Sequence, residues 1–104
     1  MFIAIVPAYN EENKVGSVVR SLFGHVDQVV VIDDASQDDT ANQAILAGAV
    51  VLQHKVNRGQ GAALQTGHEY AINNNADYII HFDADGQFLV SDIKPALDNL
   101  KNNN

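Results

Sequence analysis

Residues 29–34 read Val29-Val30-Val31-Ile32-Asp33-Asp34. Four β-branched residues stand together with no polar residue between them, so the strand they form is buried on both faces. A strand wet on one side would alternate. Burial on both faces belongs to a parallel sheet covered by helices, and the two acids close the run where the chain leaves the sheet.

The flanking sequence keeps to that plan. Upstream, Phe2 to Val6 is a second apolar run, ended by Pro7. Val15, Val18, Val19 and Leu22 then recur at the spacing of an amphipathic helix, and Gly24 supplies its stop. Downstream, Ser36, Asp38 and Asp39 read as the capped, acidic entry of a short helix through Ala41, Ala44 and Ile45, ended by Gly48. Ala49 to Leu52 is a weaker third strand. Arg58-Gly59-Gln60-Gly61 turns into a helix from about Ala62 to Asn73, with Leu64, Gly67 and Ala71 on the face that meets the sheet. Tyr78 to Phe82 is a fourth strand, ended by Asp83-Ala84-Asp85-Gly86. A last helix uses Ile93, Ala96, Leu97 and Leu100, with Pro95 in its first turn, before a frayed end. Right-handed crossovers then predict an α/β, Rossmann-like three-layer sandwich with a mostly parallel sheet in the order 3-2-1-4.

Composition bounds the function. The 104 residues make one domain, with 46% hydrophobic and 18% charged side chains, as in an ordinary globular protein. No apolar run reaches the ~18 residues of a membrane span, and the N-terminus lacks the charged n-region of a signal peptide. The absence of cysteine removes disulfides, thiolate metal sites and cysteine nucleophiles, and fits a cytoplasmic protein. A net charge of −7, from 13 acids against 6 bases, argues against nucleic acid. A small anion remains possible if a divalent cation comes with it.

In an open parallel sheet, ligands bind beyond the carboxyl ends of the strands, where the strand order reverses. The polar residues collect there: Pro7 to Glu12 after strand 1, Asp33-Asp34 after strand 2, Asn57-Arg58-Gly59 after strand 3, and Asp83-Ala84-Asp85 after strand 4. So many carboxylates on one rim would repel one another unless a hard cation such as Mg²⁺ joined them. Each motif also has a plainer reading. Asp-x-Asp-Gly is a common turn, strand-end acids cap helices, and Glu11 and Glu12 suit the positive end of the first helix. Tyr9 could stack on a base or cover the core edge. Gly59-x-Gly61 could approach a phosphate, but Leu64 stands where a dinucleotide fingerprint needs its third small residue. His25, His54, His68 and His81 show no ligand spacing and read as structural or exposed.

In this order, Ile5 to Glu12, Val31-Ile32-Asp33-Asp34-Ala35-Ser36-x-Asp38-x-Thr40, Asn57-Arg58-Gly59-x-Gly61-x-Ala63 and Phe82 to Gln87 resemble glycosyltransferase family 2. This GT-A fold group includes the dolichyl-phosphate mannose and glucose synthases. The resemblance implies that Pro7, Tyr9 and Glu11 line a nucleotide pocket and that Asp34 accepts a hydrogen bond from the base. It implies that Asp83, Ala84 and Asp85 meet the ribose, the diphosphate and the metal. Asp83, Asp85 and Gln87 are the implied ligands of Mg²⁺ or Mn²⁺, and Arg58 either contacts the nucleotide or packs. The implied reaction moves a sugar from a UDP- or GDP-linked donor to a polyprenyl phosphate or a glycan, at the cytoplasmic face of a membrane. Residues 1–104 would be the donor-binding part of a truncated GT-A domain, with the acceptor-binding half and the general base beyond Asn104. Such a piece could self-associate through its uncovered edge. Two alternatives compete: a phospho-acceptor receiver module, whose acid pair would instead follow strand 1, and a non-catalytic nucleotide-binding fragment.

Overall fold

The computed structural model describes residues 1–84. The helix expected around Ile93 to Leu100, and with it Asp85 and Gln87, lies outside the described residues. The elements are β1 (Phe2–Ala8), α1 (Val15–Leu22), β2 (Gln28–Asp33), α2 (Thr40–Leu46), β3 (Val50–Gln53), α3 (Gln60–Asn73) and β4 (Tyr78–His81). The described strands form one sheet in the order β3-β2-β1-β4, every pair parallel. Ile5 of β1 stands opposite Val30 on one side and His81 on the other.

The unbroken apolar runs are explained by what covers each face. Ala4, Val6, Val29 and Val31 point to one side, where Val15, Val19 and Leu22 of α1 and Ala44 of α2 close a core. Ile3, Ile5, Val30 and Ile32 point to the other, where Ala63 and Ala71 of α3 close a second. Ile3, Ile5, Leu22 and Ile32 are fully buried, each worth about 1.5–3 kcal/mol relative to exposure.

The strand boundaries differ from expectation at Pro7, which lies inside β1 rather than ending it. The Phe2 and Ala8 carbonyls accept N–H groups of Asp27 and Asp34 on the β2 side, while Ile5 accepts Phe82 N–H on the β4 side. By alternation the Pro7 nitrogen faces the β4 side, two residues beyond the last β4 pairing at Ile5. No ladder bond is lost there.

The third helix starts at Gln60, two residues earlier than expected, and buries Ala63, Gly67 and Ala71, with Leu64 only partly covered. Gly67 is required by contact. A β-carbon there would lie 2.4 Å from Ile5 Cγ2 and 2.9 Å from Ile32 Cδ1. The helix therefore rests directly on the sheet at this point, and its N-terminus is carried to the carboxyl ends of the strands. None of the described helices is long and apolar enough to cross a membrane.

Candidate functional site

The loops after β1 and β2 are clasped together. Asn10 N–H donates to Ser36 Oγ (2.8 Å), and Gln37 N–H donates back to Asn10 Oδ1 (2.9 Å). Glu11 N–H donates to Thr40 Oγ1 (2.9 Å), and Asp39 N–H donates to Glu12 Oε2 (3.0 Å). Asn10 and Ala35 take left-handed backbone, with φ of 54° and 65°. That conformation is tolerable for Asn and strained for Ala. The clasp corrects two expectations. Ser36 binds the neighbouring loop instead of capping α2, and Glu12 serves the N-terminus of α2, not of α1. Both reach partners more than twenty residues away, which no local spacing announces.

The adjacent acids at the end of β2 divide their work, as neighbours facing opposite ways should. Asp33 is turned into its own loop, accepting Ser36 N–H (3.0 Å) and Gln53 Nε2 (3.2 Å). Asp34 faces α3. Its Oδ1 accepts Arg58 N–H (2.9 Å) and lies 2.7 Å from His54 Nδ1, and its Oδ2 accepts Gly59 N–H (2.8 Å). Gly59 has φ of 94°, a left-handed conformation that favours glycine. Its N–H is committed to Asp34, so the Gly59-x-Gly61 turn does not offer this donor to a phosphate. Arg58 contributes its backbone here, with its side chain exposed.

Only 4% of Asp34 is exposed. Burial by itself raises its pKa, but the Arg58 N–H, the His54 ring and the Gly59 N–H together outweigh it and hold the carboxyl below its ordinary 3.8. The charge of Asp34 is therefore sustained by the protein's own donors. A depressed folded pKa stabilises the fold above the unfolded value, and that contribution disappears as pH falls through the folded one. Asp38 and Asp39 are lowered too. For Asp38, burial raises the pKa and the Thr40 hydroxyl and N–H overcome it; for Asp39, the Gln43 and Asn42 amides lower it. These carboxylates should thus leave the urea midpoint unchanged from pH 7 to pH 5 and lower it below about pH 4. His81, whose pKa is also lowered, adds a separate decline as pH falls below the ordinary histidine value of 6.5. In Asp34→Asn the acid-induced drop should be smaller, and an identical drop would remove Asp34 as a contributor.

Between the tips of β1, β2 and β4 and the start of α3 lies a cavity of about 300 Å³. Pro7, Ala8, Tyr9, Glu11, Asp34, Gln60, Ala63, Asp83 and Ala84 line it. Every implied nucleotide-site residue within the described part is in that lining, and the position is the reversal of strand order between β1 and β4. Gln60 Nε2 donates to Asp83 Oδ1 (3.2 Å), tying the β4 exit to the helix. Tyr9 is 47% exposed, an open aromatic face over the rim rather than a lid on the core. Glu11, Asp34 and Asp83 reach the cavity, while Asp33 and Glu12 do not. Among the described residues no three His, Asp or Glu side chains are placed to hold one metal ion. Asp83 offers one hard oxygen donor set, and the other two implied ligands are Asp85 and Gln87.

Sequence spacing did not reveal two histidine contacts. His54, its side chain 7% exposed, joins Asp34 to Thr66 Oγ1 (2.8 Å). His68 of α3 and His81 of β4 meet through their Nε2 atoms with rings edge to face. Burial, then the neighbouring His68, lowers the pKa of His81.

Fold and cavity together define an α/β domain with an open site beyond the carboxyl ends of a parallel sheet. The chain belongs to glycosyl transferase family 2, whose sequence profile matches residues 3–104. That membership sets aside the receiver-module alternative. The chain is 41% identical over 91 residues to the uncharacterised protein MJ1222 of Methanocaldococcus jannaschii, covering 86% of this chain and 37% of that protein. It is 33% identical over 107 residues to the UDP-N-acetylglucosamine–dolichyl-phosphate N-acetylglucosaminyltransferase of Methanococcus voltae, covering 86% and 43%. Among solved structures it resembles the glucosyl-3-phosphoglycerate synthase of Mycobacterium tuberculosis in complex with Mn²⁺, UDP-glucose and phosphoglyceric acid. There the TM-score is 0.67 at 29% identity, over 81% of this chain and 33% of that one. The chain thus spans less than half the length of these relatives.

Proposed function

We propose that residues 1–104 bind the donor of a sugar-transfer reaction, a UDP- or GDP-linked sugar, and that Mg²⁺ or Mn²⁺ accompanies it. The observation that carries this reading is the cavity at the strand-order reversal, which gathers Pro7, Tyr9, Glu11, Asp34, Asp83 and Ala84 from three separate strand ends. In this reading Tyr9 stacks on the base, and Asp34 accepts a base N–H with the one lone pair its protein partners leave on Oδ2. Asp83 and the Ala84 backbone meet the ribose and diphosphate. Asp83, Asp85 and Gln87 would hold the cation, whose chemistry is to stabilise the charge that grows on the departing diphosphate. The ligands of the mycobacterial structure, Mn²⁺ and UDP-glucose, support the donor and metal classes.

For the whole protein we propose a polyprenyl phosphate or glycan as acceptor, the former class supported by the dolichyl phosphate in the Methanococcus relative's name, and transfer at the cytoplasmic face of a membrane. β3 and β4 are the edge strands among the described residues, and a separated piece would self-associate through such an edge.

Calorimetric titration with UDP and GDP, with and without Mn²⁺, tests this. Affinity for one nucleotide should rise at least about tenfold with the metal, the scale of one charge-assisted contact. Asp85→Ala should abolish that increase and leave the circular dichroism unchanged. Equal affinities with and without Mn²⁺ would refute the metal role.

A further inference from the structure

We propose that His54 is a positioning residue: it fixes the carboxylate of Asp34 so that a single acceptor site faces the cavity, making the cavity selective for bases with a ring N–H. This rests on the donor-binding reading above and adds a residue that does not line the cavity.

The argument is a count of lone pairs. An ionised carboxylate accepts at about four positions and donates at none. Arg58 N–H and His54 Nδ1 occupy Oδ1, and Gly59 N–H occupies one position of Oδ2. Because the Asp34 carboxyl can only accept, Nδ1 of His54 carries the proton. One position on Oδ2 is left for a ligand. A uracil or guanine ring N–H satisfies it, and a base presenting a lone pair there is repelled. Sites built around one buried acceptor reject ligands that cannot donate to it more strongly than they reject a change of shape.

Two backbone donors alone would hold the carboxylate from one side. His54 supplies the third contact, and its ring is fixed at both nitrogens. Nε2 lies 2.8 Å from Thr66 Oγ1 and, lacking a proton, accepts the one hydroxyl proton of Thr66, for which the Ala62 carbonyl at 3.0 Å within α3 is the competing acceptor. The chain Asp34–His54–Thr66 thus runs from the tip of β2, through the exit of β3, to the helix seated on the sheet. Without His54, Oδ1 regains an open acceptor position and the carboxylate can turn either oxygen to the ligand.

A merely structural histidine would hold the loop and nothing more, so the test reads discrimination rather than affinity. UDP is compared with N3-methyl-UDP, and GDP with N1-methyl-GDP, in the presence of Mg²⁺. For whichever nucleotide the wild type prefers, methylation should weaken binding at least about tenfold, as expected for one lost hydrogen bond to a charged group. In His54→Leu the ratio should fall below about threefold. His54→Asn, whose Nδ2 stands close to the place of Nδ1, should restore it. Thr66→Val, which frees the ring without removing it, should lower the ratio partway and serves if His54→Leu does not fold. A variant that weakens both ligands equally, ratio unchanged, overturns the positioning role. So does a wild type that binds nucleotide without discriminating, while the donor-binding reading survives. A wild type that binds neither UDP nor GDP overturns both.

Discussion

Gly67→Ala should lower the stability of the chain by about 1–3 kcal/mol, although alanine is the better helix former by about 1 kcal/mol. The two effects are opposed and the contact decides. A methyl at this position would sit 2.4 Å from Ile5 Cγ2, far inside contact distance, and Ile5 is itself fully buried between β2 and β4. Ile5 cannot withdraw, because close-packed cores have no spare volume. Either α3 lifts from the sheet or the isoleucines leave their rotamers. Lifting α3 would also move Gln60 and Ala63, which line the cavity, so nucleotide affinity should fall with stability. Gly67→Val, larger and β-branched, should leave the chain unfolded. Urea denaturation reads the effect as a lower midpoint with an unchanged slope. A higher midpoint for Gly67→Ala would mean that the helix does not rest on the sheet as described.

Asp34→Ala should be at least as damaging, by about 3–5 kcal/mol, since a buried donor left without its acceptor costs about 1–3 kcal/mol and several are left. Three donors lose their acceptor at once: the Arg58 and Gly59 N–H groups and His54 Nδ1. All three belong to the segment between β3 and α3, which holds Gly59 in its left-handed conformation. Against a typical domain stability of about 5–15 kcal/mol, such a loss leaves little margin. Amide exchange should show loss of protection at Arg58 and Gly59 before the sheet opens. If the variant stays within about 0.5 kcal/mol of the wild type with both amides protected, the network around Asp34 does not carry that load.

The strands were legible because burial on both faces leaves an unbroken run of β-branched residues, as in Val29 to Ile32. Their order followed from the right-handed crossover rule, and the order placed the cavity. Glu11, Asp34 and Asp83 could be assigned to one rim for that reason alone. What could not be read were contacts between loops. Nothing in the spacing of Glu12 and Asp39, or of Asn10 and Ser36, announces that they meet, since their approach is set by the packing of α1 beside α2. His54 is a similar case. A lone histidine after a weak strand carries no pattern, and its role depends on Thr66 arriving from another element. Pro7 was misread for an opposite reason. The rule that proline ends a strand holds where its nitrogen faces a partner, and here that side is open.

The central claim is that the cavity at the strand-order reversal takes the nucleotide, and amide chemical shifts measured on a nitrogen-labelled chain test it most directly. On titration with UDP or GDP and Mg²⁺, the amides of Tyr9, Glu11, Asp34 and Ala84 should move together along one binding curve, while those of His68 and the α2 helix stay in place. Shifts confined to other surfaces, or none at millimolar nucleotide, would contradict it.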